Sequence, residues 1–274
     1  NENWNNTGLG RIDRAKRQTV SNSELSSVYI YDGTTGEFKR IKYYSDANWS
    51  LLLPKVKEDF IEAGSGYFSL GSQIVNASSG YIYERPGAFY TQPTNLGFYA
   101  QYLADLAAGD AVNAFISREQ AIVNLQKIAS SLLTDQAALG YKGLLPWLEF
   151  NGASRKRASG AYGQQVAFVD NSNLSASLGS AIGALSDLTD SRVAQIRKNL
   201  DLFLDRQEEG YRYLYDTGLQ QFKGGAFIST GGLFSYSAGT FGSEARAGVE
   251  FVSLRYDIDP TAYEKLKAAT LATP

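Results

Sequence analysis

The chain is predicted to be mainly α-helical, an (α/α) toroid-like helical barrel preceded by a short N-terminal β-hairpin. Three observations carry that prediction. From Asp46 onward the apolar residues recur with the 3.6-residue period of helices packed on one face. Gly-, Tyr- and Ser-rich loops recur after pairs of helices, over 64–92, 140–169 and 210–242. Loops of that length are functional or disordered, and hairpins whose long connections emerge on one side build a toroid. Polar residues also gather at helix starts far apart in the chain, which a toroid would bring around one cleft; no repeat of fixed period is visible.

Taken in order, residues 1–25 are polar, and Arg11, Arg14, Lys16 and Arg17 read as a solvated arm. The β-formers of Ser27–Tyr31 and Phe38–Tyr43 flank Asp32-Gly33-Thr34-Thr35-Gly36, a hairpin pattern. This gives an N-terminal segment over 1–45 and a helical domain over 46–274. Helices are expected over 48–62, 94–108, 117–134, 172–186, 190–208, 243–257 and 260–269. The second opens on Gln92-Pro93-Thr94-Asn95, with proline placed to start a helix. Ser117 and Gln120 form a capping box, followed by Ile122, Leu125, Ile128 and Leu132 on one face. Val193, Ile196, Leu200, Phe203 and Leu204 repeat that pattern after Asp190.

Composition removes several function classes. The 274 residues carry a net charge of −2, with 43% hydrophobic and 20% charged residues. That is the balance of a globular protein, without the basic footprint of a nucleic-acid partner. No apolar run approaches the roughly 18 residues that span a bilayer. Asn1-Glu2-Asn3-Trp4 holds neither an initiator Met nor an apolar signal core, so the chain reads as processed or trimmed, and a secreted or periplasmic place is expected. Cysteine and histidine are absent, which excludes disulfides, thiolate or imidazole metal ligands and every Ser-His or Cys-His nucleophile. Catalysis would fall to carboxylates, Tyr, Lys or Arg. No cofactor is expected: Gly231-Gly232 lacks the context of a phosphate loop. Asp257-Ile258-Asp259 is too short a ligand set for calcium on its own, and no metal residues are assigned.

Four stretches then carry a resemblance: Pro93-Thr94-Asn95-Leu96-Gly97, Ser117-Arg118-Glu119-Gln120-Ala121, Val169-Asp170-Asn171-Ser172-Asn173-Leu174 and Ser243-Glu244-Ala245-Arg246. In this order and spacing the chain resembles the glycoamylase-like superfamily, which includes bacterial endo-β-1,2-glucanases and the helical domain of cyclic β-1,2-glucan synthases. The likeness covers about 80–270 and includes Gly210-Tyr211-Arg212-Tyr213-Leu214-Tyr215-Asp216, which looks like an aromatic strand ending in Asp. It implies a glycoside hydrolase or transglycosylase acting on a glucan-like polysaccharide. Fewer helices are predicted than a complete toroid has, so a further C-terminal segment or a second chain is expected to complete the barrel. Ala245 stands where relatives have an aromatic residue, and Lys156 and Arg157 add basic character to a loop that is usually less basic.

Glycoside hydrolysis uses two carboxyl groups, one to protonate the leaving oxygen and one to activate water or attack. Asp170, beside a helix start whose dipole favours the anion, is the candidate base or nucleophile, with helix capping as the alternative. Glu244, in the first turn of a later helix, is the candidate acid, and Glu149 beside Trp147 is its substitute. Trp147 offers a flat face for a sugar ring or a plug for the core. Asn95 is read as a sugar-binding amide or a cap, and Asn173 and Tyr99 join it as substrate-binding candidates. Asp216 and Arg246 are expected to position hydroxyls or to pair with each other. Glu84-Arg85 is ambiguous in the same way, and Arg155-Lys156-Arg157 reads as solvated. Two other functions remain: a non-catalytic glycan-binding or surface-assembly module, and a polysaccharide lyase using Tyr99 or Tyr236 as base.

Overall fold

The computed structural model describes residues 27–32, 37–42, 73–109, 116–239, 245–262 and 264–266. Contacts divide the chain into Asn1–Tyr67 and Phe68–Pro274. In the first unit, strands β1 (Ser27–Asp32) and β2 (Glu37–Lys42) form the expected antiparallel hairpin, from Ser27 opposite Lys42 to Asp32 opposite Glu37. The helix expected over 48–62 lies outside the described residues.

The second unit is helical. Its helices are α1 (Pro93–Ala108), α2 (Arg118–Ala138), α3 (Phe168–Ala184), α4 (Ser191–Asp205), α5 (Glu208–Leu214) and α6, described over Ala245–Tyr256. Pro93 sits at the first turn of α1, where its missing N–H costs no bond, and Gly109 ends the helix in the left-handed region at φ 84°. The capping box of α2 forms as predicted: Ser117 Oγ accepts from Gln120 N and Gln120 Oε1 from Ser117 N. Asp190 caps α4 by accepting from Arg192 N at 2.8 Å.

Helices α1, α3 and α6 lie side by side and run in the same direction. A methyl group on Gly97 would fall 2.8 Å from Leu174 Cα, so α1 and α3 touch almost backbone to backbone. Gly248 would meet Ser172 Oγ at 2.1 Å near the α3 start, and Gly179 would meet the Phe251 ring at 2.5 Å further along. Small residues at these crossings bring the starts of α1 and α3 and the first described turn of α6 together at one end. Helices α2 and α4 form a second parallel pair, tied by Glu119–Arg192 at their starts and by Gln136 Nε2 donating to Phe203 O at 2.9 Å near their ends. The α3–α4 hairpin is closed by buried polar groups: Ser175 Oγ lies 2.7 Å from both Gln207 Oε1 and Tyr211 OH.

The segments expected as loops carry short strands. β3 (Tyr90–Thr91), β4 (Leu148–Asn151) and β5 (Ser154–Arg157) form one sheet. A 3₁₀ turn over Ala161–Gln164 leads into β6 (Gln165–Ala167). β7 (Tyr215–Asp216) pairs with β8 (Gln221–Phe222), and β6 pairs with β9 (Gly225–Phe227). Beneath β6 a core of Phe168, Tyr211, Leu214, Phe222, Val249 and Val252 packs, with Phe168 stacked on Phe222 at 4.7 Å.

Two expectations need correction. Residues 210–216 are not a strand: all but the last two belong to α5, which is favoured by Glu208 and Glu209 in its first turn and by a Glu208–Arg212 ion pair at 2.8 Å. Helix α3 starts at Phe168 rather than 172, directly after β6, so Asp170 lies inside the helix rather than before it.

Candidate active site

Asp170 is the third residue of α3, in the first turn, where the helix dipole favours an anion. It does not cap the helix; Ala167 holds that position and no side-chain cap bond is made. Its carboxylate reaches sideways instead. Oδ1 accepts from Thr94 Oγ1 at 3.0 Å, and Oδ2 accepts from Trp147 Nε1 at 2.7 Å. Burial pushes the Asp170 carboxyl above its usual value, and the Trp147 and Thr94 bonds oppose that rise without cancelling it. An indole N–H only donates, so Oδ2 is held as an acceptor. A hydroxyl can donate or accept, which leaves Oδ1 as the oxygen able to carry a proton.

Trp147 is itself held from both sides of the chain. The fully buried Asn171, one residue past Asp170, accepts from Leu145 N at 2.8 Å and donates to Leu145 O and Ala167 O at 2.9 Å. That clamp fixes the backbone two residues before Trp147. The indole lies parallel to Tyr162 (4.3 Å, 14°) and to Tyr90 (5.9 Å, 9°). The tryptophan face expected to meet a sugar is therefore stacked on tyrosine. Tyr162, 55% exposed, presents a ring face to solvent in its place. Sequence reasoning passed over Tyr162, although an aromatic residue flanked by Gly160 and Gly163 in a loop was the available signal.

A second carboxylate hangs from the same helix start. Glu84 Oε2 accepts from Asn95 Nδ2 at 2.6 Å and from Gln92 Nε2 at 3.1 Å, and Oε1 accepts from Gln92 Nε2 at 3.2 Å. Glu84 N donates to Tyr90 O at 2.8 Å, beside the ring that lines up with Trp147. Asn95 thus spends its amide on Glu84 rather than on a helix cap. Thr94 and Asn95, successive residues of α1, hold Asp170 and Glu84 respectively.

On the other side of β6, β9 and the segment after it carry a further group of rings. Tyr236, 61% exposed, lies over Gly224, where a methyl would fall 2.3 Å from its ring. Gly224 O accepts from Phe168 N at 2.9 Å, which puts Tyr236 beside the α3 start. Phe227, 45% exposed, packs on Phe234, and Phe234 on Tyr236.

Other candidates are placed differently. Tyr99 is fully buried, with its hydroxyl 3.4 Å from Asn124 Nδ2 of α2; it faces the neighbouring helix and is not available to substrate or as a base. Asn173 is buried along α3 at 9% exposure, with its backbone carbonyl against Gly97. Glu149 is half-exposed on β4. Ser159 Oγ and N donate to its Oε2 at 2.7 and 3.0 Å, and Lys156 lies 3.2 Å from Oε1; together they hold its carboxyl below the usual value, against the role of an acid. Asp216 accepts from Gly218 N and Leu219 N and pairs with Lys223 at 3.2 Å, so it organises the β7–β8 turn. Glu244 and the Arg246 side chain lie outside what is described. Two members of the basic cluster are engaged rather than solvated. Arg155 pairs with buried Asp135 at 2.6 Å, and Arg157 donates to Leu139 O at 2.8 Å. Among the described residues no group of three acidic side chains is arranged to hold a metal ion, and no helix is long and apolar enough to cross a membrane.

No model of a known protein family matches the sequence, nor does any curated protein. Solved structures do resemble it. An endo-β-1,2-glucanase from Talaromyces funiculosus in complex with sophorose aligns with a TM-score of 0.60 at 15% identity, over 81% of this chain and 50% of that one. A mutant of that enzyme with β-1,2-glucan gives 0.61 at 14%, over 79% and 50%. A β-1,2-glucanase from Parabacteroides distasonis gives 0.60 at 16%, over 87% of this chain and 33% of that one. The chain therefore shares the mainly helical α/α toroid fold of these structures, and spans half or less of their length.

Proposed function

From that shared fold we infer that the chain acts on a glucan-like polysaccharide as a glycoside hydrolase or transglycosylase, with Asp170 as one of its two working carboxyl groups. The observation that carries this reading is the Asp170 carboxylate itself. It is half-buried at the α3 start and oriented by the neutral donors Thr94 and Trp147, with the exposed ring of Tyr162 stacked on that Trp147 and the exposed ring of Tyr236 over Gly224, which bonds to Phe168 N. Burial lifts its carboxyl, and Thr94 leaves Oδ1 able to hold a proton, so Asp170 is cast as the proton donor to the leaving oxygen. This moves it from the base expected of a helix-start aspartate to the acid. The likeness to glucanases supports a polymeric glucan, which goes with a place outside the cytoplasm.

The exposed rings serve a glycan-binding module without catalysis equally well, and Tyr236 would serve a lyase. A reducing-sugar and product assay on linear and cyclic glucans, β-1,2-glucan included, separates the three. Saturated oligosaccharides that disappear in Asp170→Asn support the hydrolase or transglycosylase. Retained binding without release identifies the module, and a product absorbing in the near ultraviolet identifies the lyase.

A further inference from the structure

We propose that Tyr162 is a sugar-stacking platform, holding a glucan unit beside the one whose bond Asp170 serves; the proposal rests on the glucan-acting reading. Three features of the geometry point to it. The first is a rigid, open ring. Tyr162 is 55% exposed although one face lies 4.3 Å from the Trp147 indole, so the other face carries the exposure. Its turn is fastened to Trp147 through the backbone: Tyr162 O accepts from Trp147 N at 3.4 Å, and Ala158 N donates to Trp147 O at 2.8 Å. Gly163 lets the turn close, because a methyl there would fall 1.8 Å from Ala158 O. An exposed ring held this firmly loses little freedom when a ligand arrives.

The second feature is the chemistry of the surroundings. Ser159, Gly160, Ala161 and Gln164 are exposed and small or polar. A protein partner is marked by a contiguous apolar patch, whereas a pyranose presents one apolar C–H face and a rim of hydroxyls. A flat aromatic ring suits the face, and the Gln164 amide, both donor and acceptor, suits the rim.

The third is the link to Asp170. Tyr162 stacks on the Trp147 ring, and Asp170 Oδ2 accepts from Trp147 Nε1 at 2.7 Å. An indole N–H lies in the plane of its ring, so the carboxyl meets the edge of the indole while Tyr162 covers its face. A sugar on the open face of Tyr162 would lie about 4 Å further out, with the tyrosine ring between it and the indole. That sets it beside the reacting unit rather than on it. Contact made there is the same in the ground state and the transition state, so it acts on KM more than on kcat.

The test uses Tyr162→Ala, Tyr162→Leu and Tyr162→Phe with linear glucans of increasing length, β-1,2-glucan included. Affinity is measured by calorimetry in an Asp170→Asn background, where the polymer persists, and turnover with Asp170 in place. Tyr162→Ala is expected to weaken binding and raise KM about tenfold, with kcat moved far less, and only for chains long enough to reach the ring. Tyr162→Phe restores the affinity, since a ring face needs no hydroxyl. Tyr162→Leu still covers Trp147 but has no flat face, so it keeps the wild-type melting temperature and binds as weakly as Tyr162→Ala. Wild-type affinity in Tyr162→Ala overturns the proposal. So does full affinity in Tyr162→Leu, because Tyr162 would then only cover Trp147, and so does a loss confined to kcat. If glucan is bound but never cleaved, the hydrolase reading falls while Tyr162 keeps its role. If no glucan is bound by the chain with Tyr162 in place, both fall.

Discussion

Asp170 at the start of α3 and Asp216 in the β7–β8 turn are both aspartates beside aromatic sequence, yet their surroundings drive them in opposite directions. Leu219 N–H and Lys223 hold the Asp216 carboxyl below its usual value, whereas burial raises that of Asp170. Asp216 meets a cation and two turn N–H groups; Asp170 meets an indole N–H and a hydroxyl. Glu149 with Lys156, and Asp135 with Arg155, belong with Asp216. A carboxylate neutralised by a cation is committed to structure, while one oriented by neutral donors keeps a charge or a proton to use.

Substitutions can break this contrast. The largest effect is expected from Asp170→Asn, about 10²–10⁴-fold in kcat on the cleaved glucan, while Asp216→Asn leaves kcat in place and costs about 1 kcal/mol of turn stability. Equal losses of activity would end the distinction. Next comes the buried pair: Asp135→Asn leaves Arg155 uncompensated at 14% side-chain exposure and should cost about 3–5 kcal/mol in urea unfolding. Asn171→Ala orphans Leu145 N–H, at about 1–3 kcal/mol, and should lower activity as well, because Trp147 loses its anchor.

The finer effects concern protons. Trp147→Phe keeps a ring but removes the donor to Oδ2, so the Asp170 carboxyl rises further. An acid must be protonated to act, so the alkaline limb of the pH–rate profile should move to higher pH. Stability should show the opposite sign from an ordinary carboxylate. A carboxyl raised in the folded state disfavours folding once pH passes the unfolded value. Asp170→Asn is therefore expected to melt above wild type at pH 7, with the two curves converging below the carboxylate range; a lower melting temperature at pH 7 would place Asp170 with Asp216.

The helices were legible where local chemistry decides them. The capping box at Ser117 and Gln120 and the Asp190 cap are contacts between near neighbours, and both are present. The resemblance reads residues 210–216 as an aromatic strand, whereas most of them form a helix whose Tyr211 reaches Ser175 thirty-six residues away, a contact no local pattern announces. Tyr99 was misjudged for a related reason: its position near a helix start suggests a site, but its side of α1 faces α2. The cluster at the α1 start was legible as polar residues. That Thr94 serves Asp170 and Asn95 serves Glu84 was not, since the first pairing joins residues 76 apart and follows only from the Gly97–Leu174 approach of two helices.

The indole of Trp147 donates to a carboxyl that titrates and stacks on a ring open to solvent. The molecule consequently carries a built-in optical gauge of its own proton inventory. With the two other tryptophans, Trp4 and Trp49, replaced by Phe, emission from this one side chain would follow the loading of Asp170 and the arrival of a ligand at Tyr162 without any added label.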